Sequence, residues 1–184
     1  MATADITVLQ KALVLAFIDL GLVLFLVWRI QPARFRQITW ALAGASAIFW
    51  GIFATILLWG FWDWYYSYFY PDWSRWLAPL ATPLLYAAVG LALRWLAIRL
   101  PGNPVVNFCL LGGLESIPEH VWGIYRLGIL DRVPLLQGIS PISIFIFAVF
   151  EYILYWSIVL GIAILLRHGW EGWKHLWQRR AKAL

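Results

Sequence analysis

The chain has 184 residues, 63% hydrophobic and 12% charged, with a mean hydropathy of +0.77 and a formal net charge of +5. An ordinary soluble domain is near half apolar and a quarter charged, so this composition points away from one and toward a single all-α membrane domain over residues 1–184. The lone cysteine, Cys109, excludes an intramolecular disulfide framework and reads as a small packing residue.

A helix that crosses ~30 Å of hydrocarbon needs about 20 mostly apolar residues. Five segments reach that length: 9–29, 38–62, 76–100, 104–125 and 141–166. Backbone polar groups in lipid must be satisfied within the segment, which makes each of these a helix. The opening "MATADITVLQK" lacks the basic start and cleavage site of a secretory leader, so the first segment reads as a retained span.

Between the second and third segments, 59–76 is crowded with rings, Trp62 among them. An interfacial aromatic belt is the expected use; a vestibule gripping a lipid or a cationic group is the other. Residues 127–139 read as a short surface helix interrupted by Pro134. The tail, 169–184, places Trp170, Trp173 and Trp177 on one face, as an amphipathic helix lying in the interface and drawn to anionic lipid. His168 and His175 belong to that solvated surface.

The bases follow the segments rather than forming a nucleic-acid stripe, so no nucleic-acid partner is expected. Arg29, Arg34 and Arg36 follow the first segment, Arg94 and Arg99 end the third, and Arg167 to Lys182 follow the fifth. With five spans these share one side, predicting N-terminus out and C-terminus cytoplasmic, in a plasma or inner membrane.

Four of the nine acids fall inside spans: Asp19, Glu115, Glu119 and Glu151. Counted from the outer boundary, Asp19, Glu115, Glu151 and Tyr86 each lie ten residues in, predicting one layer near mid-membrane. Glu119 sits one turn from Glu115 on nearly the same face, and His120 points about 100° away from Glu119. A central Asp costs roughly 2.5–3.5 kcal/mol on insertion scales, against a gain of ~0.3–0.6 per large aliphatic residue. Taking Glu as similar, two acids nearly cancel the apolar content of 104–125, so that segment must turn them toward its neighbours. Pro118 removes a hydrogen bond to the Leu114 carbonyl beside them and tends to kink the helix, while Gly112 and Gly113 permit close helix approach.

Carboxyls and an imidazole buried among 14 Trp, 11 Phe and 8 Tyr point to acid–base chemistry on a lipid or isoprenoid: isomerisation, cyclisation or hydration. Glu115 and Glu151 are the expected pair, assisted by Asp19, Glu119 and His120, with Tyr86 and Tyr155 as secondary candidates. Ring faces of Trp50, Trp62, Trp122 and Trp156 would line the substrate site and stabilise a developing carbocation. No cofactor is expected, although Glu115, Glu119, His120 and Glu151 could ligate one metal ion. The alternatives are a hydrogen-bonded core that locks the helices, a proton- or cation-coupled carrier, and an accessory subunit of an oligomer or larger membrane complex. No nucleophile-elbow, zinc-protease or phosphate-loop motif competes. The general plan of a small bundle with buried acids and many rings is similar to that of emopamil-binding-type sterol isomerases; no motif matches residue by residue, so no site is carried over.

Overall fold

The computed structural model describes residues 3–56, 78–126, 128 and 138–181. Among them the regular structure is entirely helical, with no strand. Helix α1 is Thr3–Arg29, the single turn α2 is Pro32–Phe35, α3 is Thr39–Ile56 and α4 is Ala78–Ala97. Helix α5, Pro104–Val121, continues as a π-helical stretch, Trp122–Arg126, and α6 is Pro141–Ala181. The expected aromatic belt at 59–76, with Trp62, lies outside the described residues, as does nearly all of the surface helix expected at 127–139.

Local chemistry sets the helix ends. Asn103 caps α5 by accepting from the Val105 N–H at 2.9 Å, and Pro104 fills the first helical position, where no N–H is needed. Gly102 turns the chain there with φ 95°, a conformation open to glycine. One turn into α5, the Asn107 amide reaches back to the carbonyls of Ala97, Leu100 and Pro101 at 3.2, 3.4 and 3.1 Å. An amide carries two N–H donors, so these three carbonyls share them. Asn107→Ala is expected to cost about 1–2 kcal/mol in a detergent melt. Leu110→Ala, at a half-exposed site in the same helix, serves as the control and should stay within about 0.5 kcal/mol.

The helices alternate in direction. Asp5 at the start of α1 accepts from the Ser140 N–H at 2.7 Å, beside the start of α6. At the other end Arg167 of α6 meets the Arg34 carbonyl and the Gln37 side chain, so α1 and α6 run parallel. Helix α3 runs against α6, pairing Trp40 with Trp170 and Trp50 with Tyr155. Helix α4 runs against α3, with Trp50 on Tyr86 and the Arg94 guanidinium on the Arg36 carbonyl. Helix α5 runs against α6, pairing Glu115 with Trp156 and Glu119 with Tyr152. Helix α6 packs on α1, α3 and α5, and α4 closes the far side between α3 and α5. The core runs along this seam: Trp156, Phe108, Phe35, Leu42, Val159 and Leu160 are all fully buried.

By length and composition two helices can cross a membrane, over Asp5–Arg29 and Pro141–Trp173; Thr39–Ile52 and Ala81–Ala97 are shorter apolar stretches. Only 17% of the α1 window is buried, so α1 is not the enclosed helix of a soluble core. Phe17, Leu20, Leu24 and Trp28 of α1, Leu84 of α4 and Leu165 of α6 all face outward, leaving an apolar exterior that water would disfavour.

Two expectations change. The tail is not a separate helix: α6 continues without interruption through Gly169 and Gly172 to Ala181, 41 residues or about 60 Å. Its Trp170 and Trp173 stack on each other at 6.1 Å, and Trp170 packs edge-on against Trp40. The reason is that an amphipathic pattern with helical period fits a straight continuation as well as a bent one, and α3 supplies a ring to hold it straight. The segment 104–125 likewise runs helically through Pro118 and changes only at Trp122, where the hydrogen-bond register widens into the π-helical stretch.

Candidate functional site

Three helices, α4, α5 and α6, deliver polar side chains to one cluster, and α3 packs aromatic rings against it. Glu119 on α5 is its centre: the Tyr86 hydroxyl of α4 donates to Oε1 at 2.6 Å, and the Tyr152 hydroxyl of α6 donates to Oε2 at 2.5 Å. Tyr86 and Tyr152 are each 8% exposed, so neither phenol has bulk water as an alternative. Trp50 of α3 lies flat on Tyr86, with ring centroids 3.9 Å apart at 18°. The phenol is thereby fixed in orientation as well as in hydrogen bonding.

Helical rotation explains why these residues meet. Residues four apart on α6 share a face to within about 40°. Tyr152 and Trp156 therefore point together toward α5, and Glu151 and Tyr155, about 100° around, point together along another face. On the first face, Trp156 donates through Nε1 to Glu115 Oε2 at 3.4 Å, one turn from the Glu119 pair, and Glu115 lies beside Glu119. On the second face, Tyr155 donates to Glu151 Oε1 at 2.5 Å and packs against Phe49 and Trp50.

The close approach of α5 and α6 rests on glycine. A Cβ at Gly112 would come within 2.6 Å of Trp156 Cγ, and one at Gly113 within 2.9 Å of the Val149 carbonyl oxygen. Neither space exists for a side chain, and the short helix separation is what lets Tyr152 and Trp156 reach the carboxyls.

His120 projects from α5 toward α6, its ring edge-on to Tyr152 at 5.8 Å and within electrostatic reach of Glu151. Its Nδ1 lies 2.8 Å from the Ser116 carbonyl. A carbonyl only accepts, so Nδ1 carries the proton and, in the neutral ring, Nε2 keeps a free lone pair.

The expected single layer is instead staggered. Tyr86, Glu119, Tyr152 and Glu151 share one level, and Glu115 lies a turn away with Trp156. Asp19 does not join them. It is buried on α1, hydrogen-bonded to nothing among the described residues, and its electrostatic neighbour is Cys109, six residues below Glu115 on α5. Counting residues from span boundaries assumes that all helices begin in one plane, and these do not. Trp122 also departs from expectation: it is 59% exposed, turned outward at the π-helical stretch beside Arg126, and lines nothing in the cluster. Trp50 and Trp156 do lie in it.

The proposed ligand set Glu115, Glu119, His120 and Glu151 does not gather around one point. Among the described residues no three His, Cys, Asp or Glu side chains form a group able to hold a metal ion. Both Glu119 oxygens face phenols instead.

Tyr152 is the participant that sequence reasoning passed over. Its signal was its place: four residues before Trp156 on the same face, and adjacent to Glu151. No family model matches the chain, and neither a curated protein nor a solved structure matches it.

Proposed function

We propose that the chain is an integral membrane protein of five spans, N-terminus out and C-terminus cytoplasmic, in a plasma or inner membrane. We further propose that it carries out acid–base chemistry on a lipid or isoprenoid within the bilayer. The alternating helix directions support the topology, because they collect Arg29, Arg34, Arg36, Arg94, Arg99 and Arg167 at one end, as the positive-inside rule requires.

The observation that carries the chemistry is the unequal hydrogen bonding of two neighbouring carboxyls. Glu119 is held at both oxygens by Tyr86 and Tyr152, whereas Glu115 has one long bond from Trp156 and, besides it, only the neighbouring Glu119 carboxyl among the described residues. Glu115 therefore has capacity to spare for a substrate, and Glu119 with its phenols forms a fixed relay behind it. In the proposed reaction Glu115 gives its proton to one carbon of a double bond. The cation left on the other carbon is stabilised by ring faces, Trp50 and Trp156 foremost. Glu151, beside Tyr155 and His120, takes a proton from the adjacent carbon, completing an isomerisation; attack by a second double bond or by water gives cyclisation or hydration instead.

The test is solvent isotope incorporation. Purified protein in lipid vesicles containing isoprenoid and sterol alkenes, incubated in D2O, should yield substrate or product carrying carbon-bound deuterium by mass spectrometry. Glu115→Gln is expected to lower that rate about 100-fold or more while leaving the melting profile nearly unchanged. Unlabelled alkenes throughout, with a folded protein, would remove the enzyme reading. A second reading, a proton- or cation-coupled carrier, is favoured by Asp19 alone, a buried carboxyl with no hydrogen-bond partner among the described residues. Ion-gradient-driven uptake into vesicles that is lost in Asp19→Asn would establish it.

A further inference from the structure

The arginine-rich end of the bundle encloses a cavity of about 160 Å³, well apart from the carboxyl cluster. It lies between the end of α1, the α2 link and α6, and its polar lining is Arg29, Arg34, Gln37, Arg167, His168 and Glu171. Three guanidiniums and an imidazole thus surround one small space with a single carboxylate.

These bases are not equivalent. Arg167 is fully engaged: Nε donates to Glu171 Oε1 at 2.8 Å, one terminal nitrogen to the Arg34 carbonyl at 3.3 Å and the other to Gln37 Oε1 at 2.8 Å. Its charge is matched by Glu171, and the pair braces the cavity wall. Arg29 and Arg34 have no hydrogen bond or ion pair from their guanidiniums among the described residues; Arg29 lies 5.4 Å from the Trp28 ring centroid. His168 sits with Nδ1 2.8 Å from the Ile164 carbonyl, so that nitrogen holds a proton; in the neutral ring Nε2 is an acceptor and offers an anion no donor. The carbonyl end of α1 is the other negative feature, worth about half a charge. Two guanidiniums beyond the Arg167–Glu171 pair therefore leave the rim net positive.

We infer that this cavity binds a phosphate-class anion through Arg29 and Arg34, with His168, Arg167 and Gln37 shaping its wall. Guanidinium forks match the oxygens of phosphate in a bidentate way, and because the one carboxylate, Glu171, serves both Arg167 and Arg34, an anion here supplies negative charge that the cavity lacks. Such an anion has two sources: the headgroup of an acidic lipid, or phosphate free in solution. The surroundings favour the lipid, since Leu24, Phe25 and Trp28 expose an apolar face of α1 directly before Arg29. The site is independent of any chemistry at Glu115 and Glu119.

The experiment uses the full chain in neutral detergent, with melting temperature and native mass spectrometry as readouts. Phosphatidylglycerol, phosphatidylcholine and inorganic phosphate are added separately. Phosphatidylglycerol is expected to raise the melting temperature and to be retained as a bound adduct, with phosphatidylcholine doing neither. The doubly substituted R29Q/R34Q protein should bind at least tenfold more weakly, and Glu171→Gln should bind several-fold more tightly because it removes the opposing charge. Equal stabilisation by inorganic phosphate, lost in R29Q/R34Q, would assign the cavity to free phosphate. No shift with either anion, or a shift that survives in a folded R29Q/R34Q protein, overturns the inference.

Discussion

Replacing Glu119 with alanine is expected to lower the stability of the bundle by about 3 kcal/mol or more in a reversible denaturant or thermal titration. Two buried phenols donate to its two oxygens; in alanine both bonds are lost, and because the phenols can reach only each other, one donor is left without an acceptor. Each hydrogen bond contributes about 0.5–1.5 kcal/mol, and an orphaned buried donor costs about 1–3. The measured average for neutral interhelical bonds in membranes is nearer 0.6 kcal/mol, so the size of the loss discriminates. Tyr86→Phe and Tyr152→Phe should each be milder, because they remove donor and demand together and leave the other phenol in place. In Glu119→Gln one phenol keeps an oxygen acceptor and the other meets an amide donor, to which its own oxygen must now turn. That variant should fall between. Once both tyrosines are phenylalanine, Glu119→Ala should cost far less than it does alone. A Glu119→Ala loss no greater than that of Tyr86→Phe would mean that the phenols find other acceptors, and Glu119 would no longer be the centre of the cluster.

Much of this site could be read from residue spacing, and the failures have a common cause. Glu115 and Glu119 were legible because a four-residue step keeps two side chains on one face, and two acids in an apolar segment are too costly to face lipid. Glu151 and Tyr86 were legible by depth along their spans. Tyr152 was not, because a depth count that seeks one acid per helix ignores its neighbour, even though that neighbour faces α5. Asp19 was misplaced because, among the described residues, α1 packs chiefly on α6 and to a lesser extent on α5, where Asp19 lies near Cys109. Periodicity fixes which face a residue occupies; it does not fix how far one helix slides along another. That offset comes from packing, here from Gly112 and Gly113 seating against Trp156, Ile153 and the Val149 carbonyl. The same limit explains the tail, where the apolar stripe of α6 continues past its expected end and rests on Trp40.

Trp156→Ala carries the other large effect, a loss of about 3 kcal/mol. The ring is fully buried at the crossing of α5 and α6, edge-on to Phe108 at 5.6 Å and close to Trp50 and Tyr86. Lipid tails are as apolar as a protein core, so in a bilayer the transfer part of the cost shrinks and lost packing remains. That argument places the loss at the lower end of the ~3–5 kcal/mol seen for such truncations. Trp156→Phe keeps most of the bulk and deletes the N–H that reaches Glu115, separating packing from hydrogen bonding. Gly112→Ala provides the converse, since its Cβ would come within 2.6 Å of the indole Cγ and 2.8 Å of the Trp156 Cβ and should cost about 1–3 kcal/mol by overpacking. In the Trp156→Ala background the ring contacts are gone while the Cβ of residue 156 stays at 2.8 Å, so Gly112→Ala should cost much less than in the wild type without becoming free. Gly113→Ala should not be rescued, because its obstruction includes the Val149 backbone, which no side-chain truncation removes. Trp122→Ala, at an outward-facing ring, should stay within about 0.5 kcal/mol. Additive costs for Trp156→Ala and Gly112→Ala would show that indole and glycine do not share one contact, and the tight α5–α6 seam that brings Tyr152 and Trp156 to the carboxyls would lose its physical basis.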